Sequence, residues 1–312
     1  MVINNPKDNK VDLSIIAPVF NESESISKFC ESLRKVMDGL KLTYEVIIVD
    51  DGSTDNSFGE LKRIDWPEMR ILRFLQNSGH QSALDAGYRA AEGSYVVTLD
   101  SDMQHPPELI PELYEIAIRQ GVDVVYASRP NRGEEGVFKR ASAAGFYWLI
   151  AALTDLEIQS NAADFRLISK KVVKTLNLLP PGGQVFRLLI PSLGFPSATL
   201  PYKASPRFAG KTKYSLARMA NLGIDSILQF SVKPLQIAIR FGLIISLLSI
   251  VGFGYVLLTF ALEGSVQGWS SLISALLLLF GSLFIFLGIF GSYLSILVKH
   301  VQGRPPYLFR ED

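Results

Sequence analysis

Two long apolar stretches toward the C-terminal end constrain this chain more than any other feature. Phe241 to Leu262 holds about 22 residues without a charge and Trp269 to Val298 about 30, and each exceeds the roughly 20 that a helix needs to cross the hydrocarbon core of a bilayer. Between Pro234 and Val298 the only charged residues are Arg240 and Glu263. Gly242, Gly252, Gly254, Gly281, Gly288 and Gly291 suit close helix packing in lipid. The connection Glu263 to Gly268 carries no Lys or Arg. Lys233 and Arg240 precede the first stretch, and Lys299, His300, Arg304 and Arg310 follow the second. This distribution predicts two spans, about 235–262 and 269–298, with both ends cytoplasmic and the short loop outside. Two buried helices of a soluble protein are the competing reading, and a charge-free pair this long argues against it.

Outside that block the chain is about 24% charged, which is ordinary for a soluble domain. Lys+Arg number 31 against 30 Asp+Glu, a net charge of +1, so composition offers no case for nucleic acid or a strongly acidic partner. A hydrophobic content of 48% excludes a disordered chain. Cys30 is the only cysteine, which excludes an intramolecular disulfide and argues against a cysteine-based zinc site. Its place in the helix-like run Ile26 to Cys30 reads as apolar filler. Met1 to Lys10 is polar and has no apolar h-region, so no signal peptide is expected and the soluble part should fold in the cytoplasm.

From Val11 to about Val125 strand and helix patterns alternate. Leu13–Ala17, Tyr44–Val49, Ile71–Leu75, Tyr95–Leu99 and Val122–Ala127 read as strands, and Ser23–Met37, Gln81–Ala91 and Pro107–Gln120 as helices. That order predicts an α/β domain with a mainly parallel sheet covered by helices. Ligands in such sheets sit beyond the carboxyl ends of the strands. From Asn131 to Pro206 the pattern is less regular, with a loop at Pro180–Gly183. Tyr214 to Phe230 spaces Leu216, Met219, Leu222, Ile227 and Phe230 among Arg218, Asn221 and Asp225. An amphipathic helix on the membrane surface has this pattern, and so does a helix packing on a core.

Four polar segments follow the predicted strands. Asp100 and Asp102 stand two residues apart at a strand end, where both can reach one hard cation that neutralises a diphosphate. A plain loop or cap role is the bland alternative. In Asp50-Asp51-Gly52-Ser53-Thr54-Asp55 the glycine permits a sharp turn, Ser53 or Thr54 can cap the next helix, and a carboxylate can accept from a base N–H or a ribose hydroxyl. In Pro18-Val19-Phe20-Asn21-Glu22, Asn21 or the following Ser23 can cap a helix and Glu22 can hold a ribose or base. Asn77-Ser78-Gly79-His80 precedes a helix where a backbone amide can approach a ligand.

In order and spacing these segments resemble family 2 glycosyltransferases of the GT-A fold. The residues that carry the resemblance are 18–22, 50–55, Asn-Ser-Gly-His-x-x-Ala at 77–83 and Asp-Ser-Asp-Met-Gln-His-Pro-Pro-Glu at 100–108, and it extends over residues 11–230. The two apolar stretches narrow it to polyprenyl-phosphate glycosyltransferases, similar to dolichyl-phosphate mannose synthase and most like the bactoprenyl-phosphate glucosyltransferases. The implied organisation is a cytoplasmic GT-A catalytic domain over 1–213, an amphipathic juxtamembrane helix over 214–232, and two transmembrane helices with a short tail over 233–312.

The resemblance also implies roles. Pro18, Glu22, Asp50, Asp51, Asn77, Gly79 and Asp100 would line the nucleotide. Asp100, Asp102 and Gln104 would hold Mg2+ or Mn2+ against the diphosphate. Asn161 to Leu167 looks like the acceptor-side motif, which places Asp164 and Arg166 with Asp102 at the reacting centre. Asp155 and Glu157 nearby read as surface acids. Two basic clusters would take the lipid phosphate: Arg129, Arg132, Lys139 and Arg140, and then Arg207, Lys211 and Lys213 in a loop like the family's pre-membrane loop. General attraction to anionic head groups is the alternative for any one of them. Implied partners are a nucleotide-diphosphate sugar, a polyprenyl phosphate, the membrane and further copies of the chain as a homo-oligomer, with no nucleic acid. The sequence departs from the pattern at His105, where an Asp is common. It departs again at 181–188, where Phe186-Arg187 lacks the Gly that usually follows the Arg.

The implied reaction is inverting transfer of one hexose, from UDP-glucose in the first instance, to the lipid phosphate. GDP-mannose and UDP-aminoarabinose are the alternative donors. A processive polysaccharide synthase would share the nucleotide site, but it resembles chains with more spans and a Gln-x-x-Arg-Trp motif. Trp66, Trp148 and Trp269 have no such context. A non-catalytic membrane scaffold is opposed by intact Asp100, Asp102 and Gln104.

Overall fold

A computed structural model of the chain describes residues 11–128, 162–202, 233–263, 268–302 and 305–310. These residues fall into two compact units, one of 11–128, 162–202 and 305–310 and the other of 233–263 and 268–302. Arg129, Arg132, Lys139, Arg140, Arg207, Lys211, Lys213, Asp155, Glu157, Asn161 and the expected helix over 214–232 lie outside the described residues.

The first unit contains β1 (Leu13–Val19), α1 (Ile26–Asp38), β2 (Tyr44–Asp50), α2 (Ser57–Lys62), β3 (Met69–Arg73), α3 (His80–Ala90) and β4 (Tyr95–Thr98). A 3-10 turn (Pro107–Leu109) leads into α4 (Ile110–Gln120), followed by β5 (Val124–Ser128), β6 (Ala162–Ser169), α5 (Lys170–Asn177), α6 (Phe186–Ser192) and β7 (Ser197–Pro201). The strands form one sheet in the order β3-β2-β1-β4-β6-β5-β7. All neighbours are parallel except β6, which runs antiparallel to both β4 and β5. β1 is buried along its whole length, as its near-continuous apolar sequence requires of a strand covered on both faces.

The pleat sends alternate residues to opposite layers. Leu13, Ile15, Ala17 and Val19 pack under α1 and α4 through Phe29, Leu33, Ile110 and Leu113. Ile16 packs on the other face with Ala83, Leu84 and Tyr88 of α3 and Val172 and Leu176 of α5. α1 shows where the stabilisation lies. Its N-cap, Ser25, makes no side-chain capping bond, whereas Ile26, Phe29, Cys30, Leu33 and Met37 are all buried. At about 1.5–3 kcal/mol for each large apolar side chain, packing outweighs the missing cap.

Two capping expectations are corrected. The N-cap of α1 is Ser25, not Asn21 or Ser23, and that of α2 is Asn56, not Ser53 or Thr54. The displaced side chains are engaged between loops instead. The sheet order steps outward from β1 to β2 and β3 on one side and to β4 on the other, so the loops after β1 and β4 flank a topological switch point.

The second unit holds α7 (Lys233–Glu263) and α8 (Trp269–Val301). Large apolar side chains are exposed along α7, among them Leu247, Leu248, Val251, Tyr255 and Leu258, and along α8, among them Phe284, Ile285 and Phe290. Among the described residues, the segment Leu279–Val298 of α8 is long and apolar enough to cross a membrane. Of the short tail expected after the two apolar helices, residues 305–310 pack within the α/β unit.

Candidate active site

The loops at the carboxyl edge of the sheet are tied to one another by side chains. Asp51 N–H donates to Val19 C=O at 2.9 Å, which brings the ends of β1 and β2 together. Asn21 adopts a left-handed backbone (φ 55°), and its side-chain oxygen accepts from Thr54 N–H at 2.8 Å. Asn21 N–H donates to Ser53 Oγ, Glu22 N–H to Ser57 Oγ at 2.8 Å, and Ser23 N–H to Asp55. The hydroxyls and carboxylates of 50–57 are thus acceptors for the backbone of the preceding loop. Bonds from the Ser57 hydroxyl and N–H hold Asp55 below its ordinary pKa despite its partial burial.

Asp50 is fully buried, and its Oδ1 accepts from Ser53 N–H at 2.9 Å. Asp51 reaches the next loop, accepting from Ser78 N–H at 2.7 Å, Gly79 N–H at 3.0 Å and Asn77 Nδ2 at 3.0 Å. Burial nevertheless leaves its pKa above the ordinary value. Gly52 (φ +66°) is required at this crossing: a Cβ there would lie 2.5 Å from the Gln76 carbonyl carbon and 2.6 Å from Asn77 N. Pro18 accepts at its carbonyl from Ser101 Oγ at 2.9 Å, and Glu22 takes the Ser25 hydroxyl at 2.8 Å.

Beyond β4, His105 is buried, stacks on Phe165 and accepts Asp100 N–H at Nδ1, 2.9 Å away. An imidazole therefore fixes the backbone of Asp100 where an Asp is common. Asp102 Oδ1 accepts from Gln104 N–H at 3.0 Å, across Met103 in a left-handed conformation (φ 65°). Among the described residues no three His, Cys, Asp or Glu side chains group closely enough to hold a metal. Two carboxylates and an amide make an open donor set. That suits a hard cation which takes its remaining ligands from a diphosphate and water, as Mg2+ does.

Asp164 and Arg166 come from β6, the antiparallel strand inserted between β4 and β5. Thr98 at the end of β4 donates its hydroxyl to Asp164 C=O at 2.6 Å. The Asp164 carboxylate is almost fully buried, pairs with Arg166 beside it and accepts from Arg187 at 2.9 Å. His80 Nε2, at the start of α3, lies 3.7 Å from Asp164 and 3.7 Å from Asp100. Burial alone would raise the Asp164 pKa, but the nearby His80 imidazole and the charges of Arg166 and Arg187 outweigh it and hold the group far below the usual carboxylate range. Partial desolvation opposes charge on His80, yet Asp164 and Asp100 hold its pKa above the ordinary value. The result is an acid that stays ionised between two arginines and an imidazole, the imidazole also facing the first carboxylate of the Asp-x-Asp pair.

The structure therefore gathers Asp100, Asp164 and Arg166 at one place, and Asp51, Asn77 and Gly79 at another. Reading the sequence missed His80 and Arg187 as members of the first group and Ser57 and Asn21 as framework. His80 was visible only as the residue after a helix-starting Gly. Arg187 stood in the segment that departs from the family pattern.

Comparison with known proteins places the chain in a family. The sequence matches the family described as Glycosyl transferase family 2 over residues 14–176. The uncharacterized glycosyltransferase YkcC of Bacillus subtilis is 38% identical over 309 residues, covering 97% of this chain and 94% of that protein. The SfII prophage-derived bactoprenol glucosyl transferase of Shigella flexneri is 32% identical over 303 residues, covering 96% of this chain and 98% of that protein. The crystal structure of glucosyl-3-phosphoglycerate synthase from Mycobacterium tuberculosis with Mn2+, uridine diphosphate and phosphoglyceric acid matches with a TM-score of 0.51 at 19% identity, over 71% of this chain and 78% of that one. At that identity the likeness is one of fold, a GT-A-like α/β domain.

Proposed function

The chain belongs to glycosyl transferase family 2, and from that premise we propose that it transfers one hexose from a nucleoside diphosphate sugar to a polyprenyl phosphate in the membrane. The observation that carries this reading is the group Asp100–His80–Asp164 at the switch point, with Asp102 two residues further on. The acceptor is inferred from the relatives named bactoprenol glucosyl transferase, which match nearly the whole chain. The exposed apolar helices support the same acceptor. α7 and α8 act as two membrane crossings, and the Lys and Arg flanking them favour a catalytic domain on the cytoplasmic face.

In the proposed reaction a phosphate oxygen of the acceptor forms a bond to the anomeric carbon as the bond to the donor diphosphate breaks, and the leaving nucleotide keeps the electron pair. Attack from the opposite face inverts the anomeric centre. A phosphate monoester has a second pKa near about 6, so the nucleophile is already anionic and needs no base. This matches the state of Asp164, which is committed to Arg166, Arg187 and His80 and takes no proton at neutral pH. Its role is to hold those three side chains where an incoming phosphate and a departing diphosphate meet. Asp100 and Asp102, with Gln104 beside them, would hold Mg2+ or Mn2+, which supplies charge neutralisation for the leaving diphosphate. On the donor side, Glu22 and the Asp51–Gly79 junction line the nucleotide, while Asp50 and Pro18 brace it from beneath. The seven basic residues at 129–140 and 207–213 receive the lipid phosphate.

Nucleotide release tests the donor and the metal together. Purified chain with undecaprenyl phosphate and Mg2+ or Mn2+ is given UDP-glucose, UDP-galactose, UDP-aminoarabinose or GDP-mannose. Release from UDP-glucose is expected to exceed the others and to be lost with chelator or in Asp102→Ala. Faster release from another donor corrects the sugar, and release unaffected by chelator removes the metal from the account.

A further inference from the structure

The last described residues do not trail from α8 as an unattached tail. Leu75 N–H donates to Leu308 C=O at 2.9 Å and Arg310 N–H to Arg73 C=O at 2.8 Å, so the tail adds a short antiparallel rung to β3, the edge strand of the sheet. Its side chains reach further. The Tyr307 ring stacks on the buried Phe74 with centroids 4.7 Å apart and planes at 9°, and Phe309 closes on the same ring at 5.7 Å. The Tyr307 hydroxyl donates to Asp85 in α3 at 2.8 Å, where Arg89 also binds at 3.0 Å. Pro306 lies against Gly182, where a Cβ would be 2.4 Å from the proline ring.

Both segments touched by the tail lead into the active site. Phe74 N–H donates to Asp50 C=O, and four and five residues later the amides of Ser78 and Gly79 hold Asp51. Gly182 lies shortly before Phe186 and Arg187, and Arg187 holds Asp164. An edge strand covered only against aggregation needs neither a half-buried tyrosine whose hydroxyl reaches a neighbouring helix nor two further rings packed on Phe74.

We propose that residues 305–310 are a positioning strap for the donor loop, fixing Phe74–His80, and through it Asp51 and His80, in the geometry that binds nucleotide. The inference rests on the reading of that loop as the donor side. An aromatic stack of this kind is worth enough to change an equilibrium by about tenfold.

The test uses the full-length chain in detergent, with UDP as the probe, and two readouts: UDP affinity by calorimetry and amide exchange at Ser78 and Gly79. Tyr307→Ala is expected to weaken UDP binding by about tenfold and speed exchange at both amides, whereas Tyr307→Phe, which keeps the stack, stays within about threefold of the parent. Arg310→Pro removes the bond from Arg310 N–H to Arg73 C=O at an exposed position, and it is expected to speed the same exchange if Tyr307→Ala fails to fold. Unchanged affinity and exchange in the folded variants overturn the strap and leave the donor site standing. A parent chain that binds no UDP overturns the assignment of that donor, and exchange at Ser78 and Gly79 then decides the strap by itself.

Discussion

Asp164 is a buried carboxylate held by two arginines and a histidine, and its chemistry follows from that company. Asp164→Asn removes the carboxylate charge that Arg166 and Arg187 pair with while keeping nearly the same shape. The expected result is a fall in kcat of about a hundredfold or more with nucleotide affinity within about threefold of the parent, measured by steady-state transfer and calorimetry. A fall in nucleotide affinity alone would assign Asp164 to donor binding. Asp100, Asp102 and Asp164 were legible in the sequence because the first two share a strand end and the third stands in a local motif. The partnership of His80 and Arg187 with these carboxylates was not, because it arises from proximity across the fold. His80 meets carboxylates 20 and 84 positions further along the chain, a pairing that no local spacing announces.

At the scale of elements, the alternation of strands and helices from β1 to β5 could be read from periodicity, with ends displaced by a few residues. β6 running antiparallel between β4 and β5 could not, since neither direction nor neighbour is written in a strand's own pattern. The caps were misread for a related reason: Asn21 and Ser53 have the chemistry of caps, but their polar atoms bind the neighbouring loop instead of their own helix. Gly52 is where these loops come closest. Gly52→Ala sets a methyl against the backbone of Gln76 and Asn77 at a positive φ, and is expected to destabilise the chain by about 2 kcal/mol and weaken nucleotide binding at the Asp51 junction. Thermal melting together with UDP affinity checks this. A variant as stable as the parent with full affinity would show that the loops tolerate separation.

For the whole molecule, the sequence divided cleanly into an α/β part and an apolar part because charge is so unevenly distributed between them. The packing of the tail against the α/β part could not be read from that division. Tyr307 and Phe309 stand at alternate positions, the pattern of a strand with one apolar face, but three residues of pattern are too few to read without the edge they pair with. The central claim is that an α/β domain of this family serves an acceptor confined to the bilayer and uses it once per turnover. The most direct test is mass spectrometry of undecaprenyl phosphate, reconstituted with the full chain in a lipid bilayer and incubated with the preferred donor. The account predicts a lipid heavier by a single hexose, formed in step with nucleotide release and absent in Asp102→Ala. An unchanged lipid with free hexose accumulating, or a ladder of several hexoses on each lipid, would contradict it.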